Sequence, residues 1–401
     1  MKASRKSVEK LKEEVKARFV GNDEVIDIIV LNQLHRRAST LIRAPRGAGK
    51  STLMLLVLRG LYGEGHVVIS GASEVKRGEV IGRLHIPSLE KDGVERVLWA
   101  AFTKTGGKGL DEVNRLNPYT TANIHHMMQF GEVWAYGQKS KIGDYTIVAN
   151  ENPSDPSTFA HPPPFYDRFD ICVHLRSLTL SEKFELQAII DKHEGDVVDS
   201  MPQVLSQEEL EQIRREVKAT PVSSDIAGLV NILVRDFQAC VRNREQSELK
   251  PPALCEGCHF IRDACARVRE PPSERAAVVL MELAKAITWL NGQCRPEDIQ
   301  RVAEAALSHR ISLVATRNSQ EELRSLLRRE WSKMADREAR RQWPIMNYLL
   351  KQFDRGLYQH AKEISMEDIV FAEELLRLET RWLREGAVKR EETLEAVMGW
   401  R

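Results

Sequence analysis

Residues 44–52 read Ala-Pro-Arg-Gly-Ala-Gly-Lys-Ser-Thr and lie between two apolar segments of different period. Ser39 to Ile42 reads as a strand, and Ser51 to Tyr62 as a helix. No other feature restricts the fold as much. A glycine-rich turn between strand and helix gathers backbone N–H groups and a helix N-terminus at one point, an arrangement that binds phosphate. Gly47, Ala48, Gly49, Lys50, Ser51 and Thr52 are therefore the candidate nucleotide contacts. Lys50 is placed to reach the β/γ oxygens and the Ser51 hydroxyl to ligate Mg²⁺, as in a Walker A loop. The strict pattern has glycine where Ala44 stands, and a methyl is tolerated there while φ stays negative. The competing reading is a glycine-rich turn with a chance Gly-Lys-Ser, and the flanking strand and helix count against it.

Three more apolar runs follow at His66–Ser70, Tyr145–Ala149 and Ile171–Leu175, each separated by helical patterns. Strands alternating with helices predict a mostly parallel sheet covered on both faces. From about Ser181 the strand signal stops and helical spacing takes over. Pro296 suits the first turn of one such helix, and Ser365–Asp368 reads as a capping box opening another to about Arg384, with Gly386 to end it. The 401 residues carry 59 basic and 58 acidic side chains, so a global electrostatic grip on nucleic acid is not implied. The charged start, the lack of an 18-residue apolar run and the six cysteines suggest no secretory signal, no membrane span and a reducing cytoplasm.

A phosphate site needs acids to hold the metal and polarise water. Asp111-Glu112 supplies a metal-holding aspartate and a water-orienting glutamate. The preceding run, Gly106 to Leu110, reads as a poor strand because it is polar and glycine-rich. A solvated acidic turn is the competing reading.

Five ordered segments carry a resemblance: LDEVNR (110–115), IVANENP (147–153), FYDRFD (165–170), PPSERAAVVL (271–280) and RPEDIQRVAEAALSHRI (295–311). In type, order and spacing they resemble the Walker B, sensor 1, DRF and sensor 2 segments and the lid tail of the MoxR family of AAA+ ATPases. The resemblance spans roughly residues 20–315, with Ala44 and the polar approach to Asp111 as departures. It implies an α/β P-loop NTPase (AAA+) core with a parallel sheet, an all-α lid and a helical C-terminal extension. The expected spans are 1–180, 181–320 with a cysteine-containing insertion at about 240–270, and 321–401. It further implies ATP and Mg²⁺ as ligands, with Ser51 and Asp111 on the metal and Glu112 as the catalytic carboxylate that orients the attacking water. Asn152 takes the place of sensor 1, Arg168 of an arginine finger acting on a neighbouring subunit, and Arg275 of sensor 2. An Asn-Pro turn, a salt bridge to Asp167 or Asp170 and an exposed helix start are the respective competing readings. A finger acting in trans implies a homo-oligomeric ring, in this family a hexamer. Family members often act with a von Willebrand factor A domain protein.

Two segments resemble insertions of this AAA+ branch: 74–93, and the hairpin 131–149 before sensor 1. Trp134, Tyr136, Lys139 and Lys141 are candidates for a pore or client surface, although packing of the two rings beneath the hairpin is the first expectation. Cys240, Cys255, Cys258 and Cys265 suit Zn²⁺ or a 4Fe-4S cluster, weighed evenly against free thiols. In the C-terminal stretch Trp331, Trp343 and Trp382 read as core, and partner docking or ring packing ranks above nucleic acid. The reading is an ATPase remodelling or activating a client or adaptor protein. The alternatives are a motor or loader on nucleic acid and a nucleotide-gated scaffold with weak hydrolysis.

Overall fold

In the computed structural model the run before the phosphate loop forms β1 (Ala38–Arg43), and the loop opens directly into α3 (Lys50–Tyr62), preceded by α1 (Lys2–Lys16) and α2 (Asp23–Asn32). The structure describes residues 2–153, 155, 158–159, 161–192, 195–237, 264–314, 319–336, 349, 352–367 and 369–398. They fall into two units, Met1–Thr220 with Lys285–Gly292, and Pro221–Ala284 with Gln293–Arg401.

The first unit continues with β2 (His66–Ser70), α4 (Arg77–Val80), β3 (Gly82–Leu84), α5 (Ile86–Asp92), β4 (Val97–Trp99), α6 (Ala101–Lys104) and β5 (Gly107–Asp111). After a 3₁₀ turn at Val113–Arg115 come α7 (Pro118–Phe130), β6 (Glu132–Ala135), β7 (Gln138–Lys141), β8 (Thr146–Glu151), α8 (Pro163–Tyr166), β9 (Ile171–His174), α9 (Leu180–Lys192) and α10 (Gln207–Ala219). Five strands make one parallel sheet in the order β2-β5-β8-β1-β9. β8 is buried along its whole length, as a parallel strand covered on both faces must be. Because β8 and β5 insert between β1 and β2, the chain jumps two strands after the phosphate loop, and the carboxyl ends of β1, β8 and β5 come together.

The expectation of a poor strand before Asp111 is overturned. β5 is an inner, buried strand. A side chain at Gly109 would come within 2.9 Å of Val68 and 3.2 Å of Leu58, so glycine lets α3 press close to the sheet. Lys108 is also fully buried, its ammonium donating to the carbonyls of Phe102 and Thr105 and lying 5.3 Å from the Phe102 ring centre. Glycine fit and an internally satisfied lysine replace the apolar run that usually marks such a strand.

The hairpin β6–β7 forms as read, but the two aromatic rings do not pack beneath it. Val133 and Ala135 point inward at 2%, while Trp134 and Tyr136 are 47% and 52% exposed. The turn Tyr136-Gly137 has positive φ at both residues, 47° and 71°, the twist that suits a two-residue hairpin. Lys139 stacks 5.4 Å over the Trp134 ring and pairs with Glu132 at 2.7 Å. The other insertion, 74–93, supplies α4, β3 and α5; β3 pairs with β4 just beyond it, and the hairpin meets the intervening loop where Gln138 donates to the Glu95 carbonyl at 2.7 Å. Ser206 caps α10, and the buried Arg214 ties that helix to the rest of its unit through the Gln33 carbonyl and Thr146.

The second unit is helical apart from a short antiparallel pair, Val268–Glu270 with Ser312–Leu313. Pro296 opens the helix Pro296–Leu307 as expected. Ser365 does not cap a helix: it is buried inside Arg355–Glu367, bonding back to the Ala361 carbonyl at 2.8 Å. The next helix, Ile369–Glu385, stops before Gly386, whose φ is 73°. Trp382 packs with Tyr358, Phe371 and Leu375 in a core of its own, and Trp331 is buried too. Trp343 lies outside the described residues. Among the described residues no single helix is long and apolar enough to cross a membrane.

Candidate nucleotide site

The loop after β1 turns on Gly47 and Gly49, with φ of 76° and 77°, the left-handed region that side chains rarely enter. A Cβ on Gly49 would also lie 2.8 Å from the Phe19 ring, whereas Gly47 faces open space. Ala44 is buried and is absent from the left-handed set, which is why its methyl fits where the strict pattern has glycine. Lys50 is the first residue of α3, and its ammonium donates to the Ala44 and Pro45 carbonyls at 3.0 and 2.8 Å. Burial lowers the Lys50 pKa, against the opposing pull of Glu112 and Asp111. The lysine thus holds the loop while its charge stays within reach of the acidic pair.

Asp111 ends β5 and faces the start of α3. Its Oδ1 accepts from Ser51 Oγ at 2.6 Å and from Asn150 Nδ2 at 2.7 Å. A hydroxyl beside a carboxylate, next to a run of loop amides, is a donor set suited to Mg²⁺ on a phosphate. Glu112 follows with φ 49° and ψ 53°, a left-handed conformation that costs a non-glycine residue about 1–3 kcal/mol. Two contacts hold it there. The Glu112 N–H donates to Asn150 Oδ1 at 3.0 Å, and Gly71 donates to the Asp111 carbonyl at 2.6 Å. A Cβ on Gly71 would lie 2.0 Å from the Glu112 oxygen, so this approach requires glycine.

Register pairs Ile42 with Asn150 and Arg43 with Glu151, so the end of β8 lies beside the phosphate loop. Asn152, the expected sensor, is buried one step beyond β8, and its carbonyl accepts from Asn114 Nδ2 at 3.0 Å. The residue that touches both members of the acidic pair is Asn150, two positions earlier, which the sequence reading passed over. Its signal was the first asparagine of Ala-Asn-Glu-Asn-Pro. Three charged residues also went unread. Arg115 pairs with Glu112 at 2.9 Å and with Asp155 at 2.7 Å, and Asp155 also holds Arg46 of the loop at 2.7 Å.

Arg168 does not reach this cluster. Its guanidinium donates to His125 Nε2 at 2.7 Å and Gln129 Oε1 at 2.8 Å on α7, while Asp170 is taken up by the N–H and hydroxyl of Ser39. Arg275 opens the helix Arg275–Asn291 in the second unit, half-buried. Cys240, Cys255 and Cys258 and the side chain of Cys265 lie outside the described residues. Among the described residues no three side chains of metal-ligating type gather.

A parallel sheet whose carboxyl edge carries a glycine-rich loop, a lysine at a helix start and an acid bonded to the next serine is a P-loop nucleotide-binding fold. It is of the AAA+ type: an α/β core, a helical lid and C-terminal helices. The model of the AAA lid domain matches residues 271–329. A solved structure from Cytophaga hutchinsonii, described as an inferred ATPase, superposes with a TM-score of 0.64 at 19% identity, over 82% of this chain and 94% of that one. At that identity the likeness speaks for the fold. No curated protein sequence matches the chain.

Proposed function

We propose that this chain is a Mg²⁺-dependent AAA+ ATPase of MoxR type that couples ATP hydrolysis in a ring-shaped oligomer to remodelling or activation of a partner protein. The carrying observation is the meeting of Ser51, Asp111, Glu112 and Asn150 at the carboxyl edge of the sheet. Bound Mg·ATP supplies the phosphoanhydride to be cleaved. Lys50 and the amides of Gly47 to Ser51 bind its phosphates, and Ser51 and Asp111 offer oxygens to the metal. Glu112 accepts the proton of the attacking water, with its backbone fixed by Asn150. Asn152 acts as sensor 1, Arg168 completes a neighbour's site, and Arg275 reports the nucleotide to the lid. Exposed Trp134 and Tyr136 support a client-facing role for the hairpin, either directly or through a von Willebrand factor A domain adaptor in the cytoplasm.

Steady-state phosphate release with Mg·ATP tests the reading, run beside light scattering with and without nucleotide. Turnover that disappears in Glu112→Gln and particles of about six chains with ATP are expected. A purified chain that neither hydrolyses nor assembles would defeat the proposal.

A further inference from the structure

Arg168 leaves the main chain at the opposite end of the sheet from the phosphate loop. Its carbonyl accepts from Ser39 Oγ at 3.2 Å at the start of β1, and the loop opens past the far end of that strand, at Ala44. A strand rises about 3.3 Å per residue, so the two points stand about 16 Å apart. The side chain runs over α7 instead: Nε donates to His125 Nε2 at 2.7 Å, and a terminal nitrogen donates to Gln129 Oε1 at 2.8 Å. His125 and Gln129 lie one helical turn apart on one face. Thr121, a turn earlier on that face, meets His161 Nδ1 at 3.5 Å. His161 is buried, and its ring packs 5.0 Å from that of Phe165. The turn that follows is closed by the Phe165 N–H on the Pro162 carbonyl at 2.9 Å and the Arg168 N–H on the Phe165 carbonyl at 3.2 Å. One stripe of α7 thus seats both ends of the segment 161–168. A ring nitrogen that accepts from a guanidinium carries no proton, so His125 is neutral in this contact, with its proton on Nδ1. Gln129 carries no charge either. These two bonds orient the guanidinium without neutralising it, which suits a cation that has phosphate to meet.

Resting on the ATPase reading above, with Arg168 acting across a subunit interface, we propose that His125 and Gln129 are positioning residues that aim Arg168 at the phosphates of the neighbouring chain. A long side chain held by two bonds on a helix face gives up its rotamer freedom before the neighbour arrives. The interface then gains a charge that is already oriented. Neither residue touches nucleotide in its own chain; both act through Arg168.

The test mixes two full-length proteins and reads phosphate release with Mg·ATP. The donor carries Lys50→Ala, so it offers Arg168 but has a crippled loop; the acceptor carries Arg168→Ala, so it offers a loop alone. Adding His125→Ala and Gln129→Ala to the donor removes both acceptors and is expected to lower the recovered turnover about 10-fold. The same two changes in the acceptor have no arginine to aim and cost nothing further. His125→Gln in the donor puts an amide oxygen in place of Nε2 and keeps recovery within about two-fold of the parent mixture. An equal loss in donor and acceptor would mark a structural role and overturn the inference, as would no loss in either. Sedimentation follows mixed particles throughout, and a donor variant that no longer forms them would place these residues in subunit packing instead. Gln129 is exposed, so Gln129→Ala alone decides, with an expected loss of about three-fold in the donor only, if the double change does not fold. The parent mixture separates the two levels of inference. Recovery there without a donor-specific loss refutes the positioning role alone, and mixed particles without recovery refute the trans arginine and the positioning role together.

Discussion

Ser51 and Asp111, 60 residues apart in the chain, share a hydrogen bond of 2.6 Å across the first turn of α3 and the end of β5. Asn150 donates to the same Asp111 oxygen, so no donor among the described residues reaches Oδ2. A hard cation taking its place among these oxygens should depend on both side chains. Asp111→Asn is expected to raise the Mg²⁺ concentration for half-maximal turnover about 10-fold or more, and chelation of Mg²⁺ to stop turnover. An unchanged Mg²⁺ titration in Asp111→Asn removes this residue from the metal site.

The phosphate cradle and the water-activating acid should separate cleanly by mutation. Lys50→Ala loses a charge-assisted contact, so nucleotide Kd rises on the order of 10- to 100-fold. Glu112→Gln keeps the loop intact, so binding persists while kcat drops on the order of 10²- to 10⁴-fold. Calorimetric binding beside phosphate release checks both, and equal turnover in Glu112→Gln and wild type would sink the assignment.

Asn150 is fully buried, and its amide spans the Asp111 carboxylate and the Glu112 N–H. Asn150→Ala leaves those groups unsatisfied and frees a backbone already in a strained conformation. The expected cost is about 1–3 kcal/mol of stability by denaturant unfolding, with kcat lowered more than nucleotide affinity. A variant as stable and as fast as wild type leaves Asn150 without the bridging role.

The phosphate loop, β1, β2, β8 and β9 were legible because short apolar runs and a glycine-rich turn are local signals. β5 was not, since its inner placement rests on what Gly109 lets α3 do and on where Lys108 finds carbonyls, both of them tertiary facts. The acidic pair could be read from the chain, but the residue touching both acids could not. Asn150 and Asn152 flank one glutamate and look alike in sequence, and only the sheet register distinguishes them. Likewise the chain Arg46–Asp155–Arg115–Glu112 joins charges up to 109 residues apart, and single-sequence charge patterning reads only near neighbours. The exposed Trp134 and Tyr136 failed a composition argument, because aromatic rings are usually buried whereas this hairpin turns its small residues inward.

Lys108 predicts a pH dependence of stability. Burial without an acidic partner pushes its pKa down to about 7 from 10.5. Between those values the unfolded chain binds a proton that the folded chain does not, so stability rises with pH, by about 1.4 kcal/mol per unit at most. Below about pH 7 both states are protonated and this contribution is flat. Urea unfolding of wild type and Lys108→Met from pH 6 to 10 should show the difference between them growing with this sign. Parallel pH curves for the two proteins would show that Lys108 stays charged when folded.

Arg168 is held on α7 by His125 and Gln129 rather than by the site of its own chain, so any action on phosphate has to fall on another subunit. A guanidinium supplied in trans stabilises the charge spread over the transferring phosphoryl oxygens. Arg168→Ala is then expected to cost on the order of 10³-fold in turnover while each chain still binds nucleotide. Lys50→Ala has the opposite defect, an intact arginine and an empty loop. Mixing the two inactive proteins forms interfaces in which an intact loop from the first meets an intact Arg168 from the second. Activity should therefore reappear on mixing, pass through a maximum with the ratio of the two, and vanish when the particles are diluted to single chains. Full activity of Arg168→Ala alone, or no recovery at any ratio under conditions where sedimentation shows mixed particles, would return this arginine to its contacts on α7.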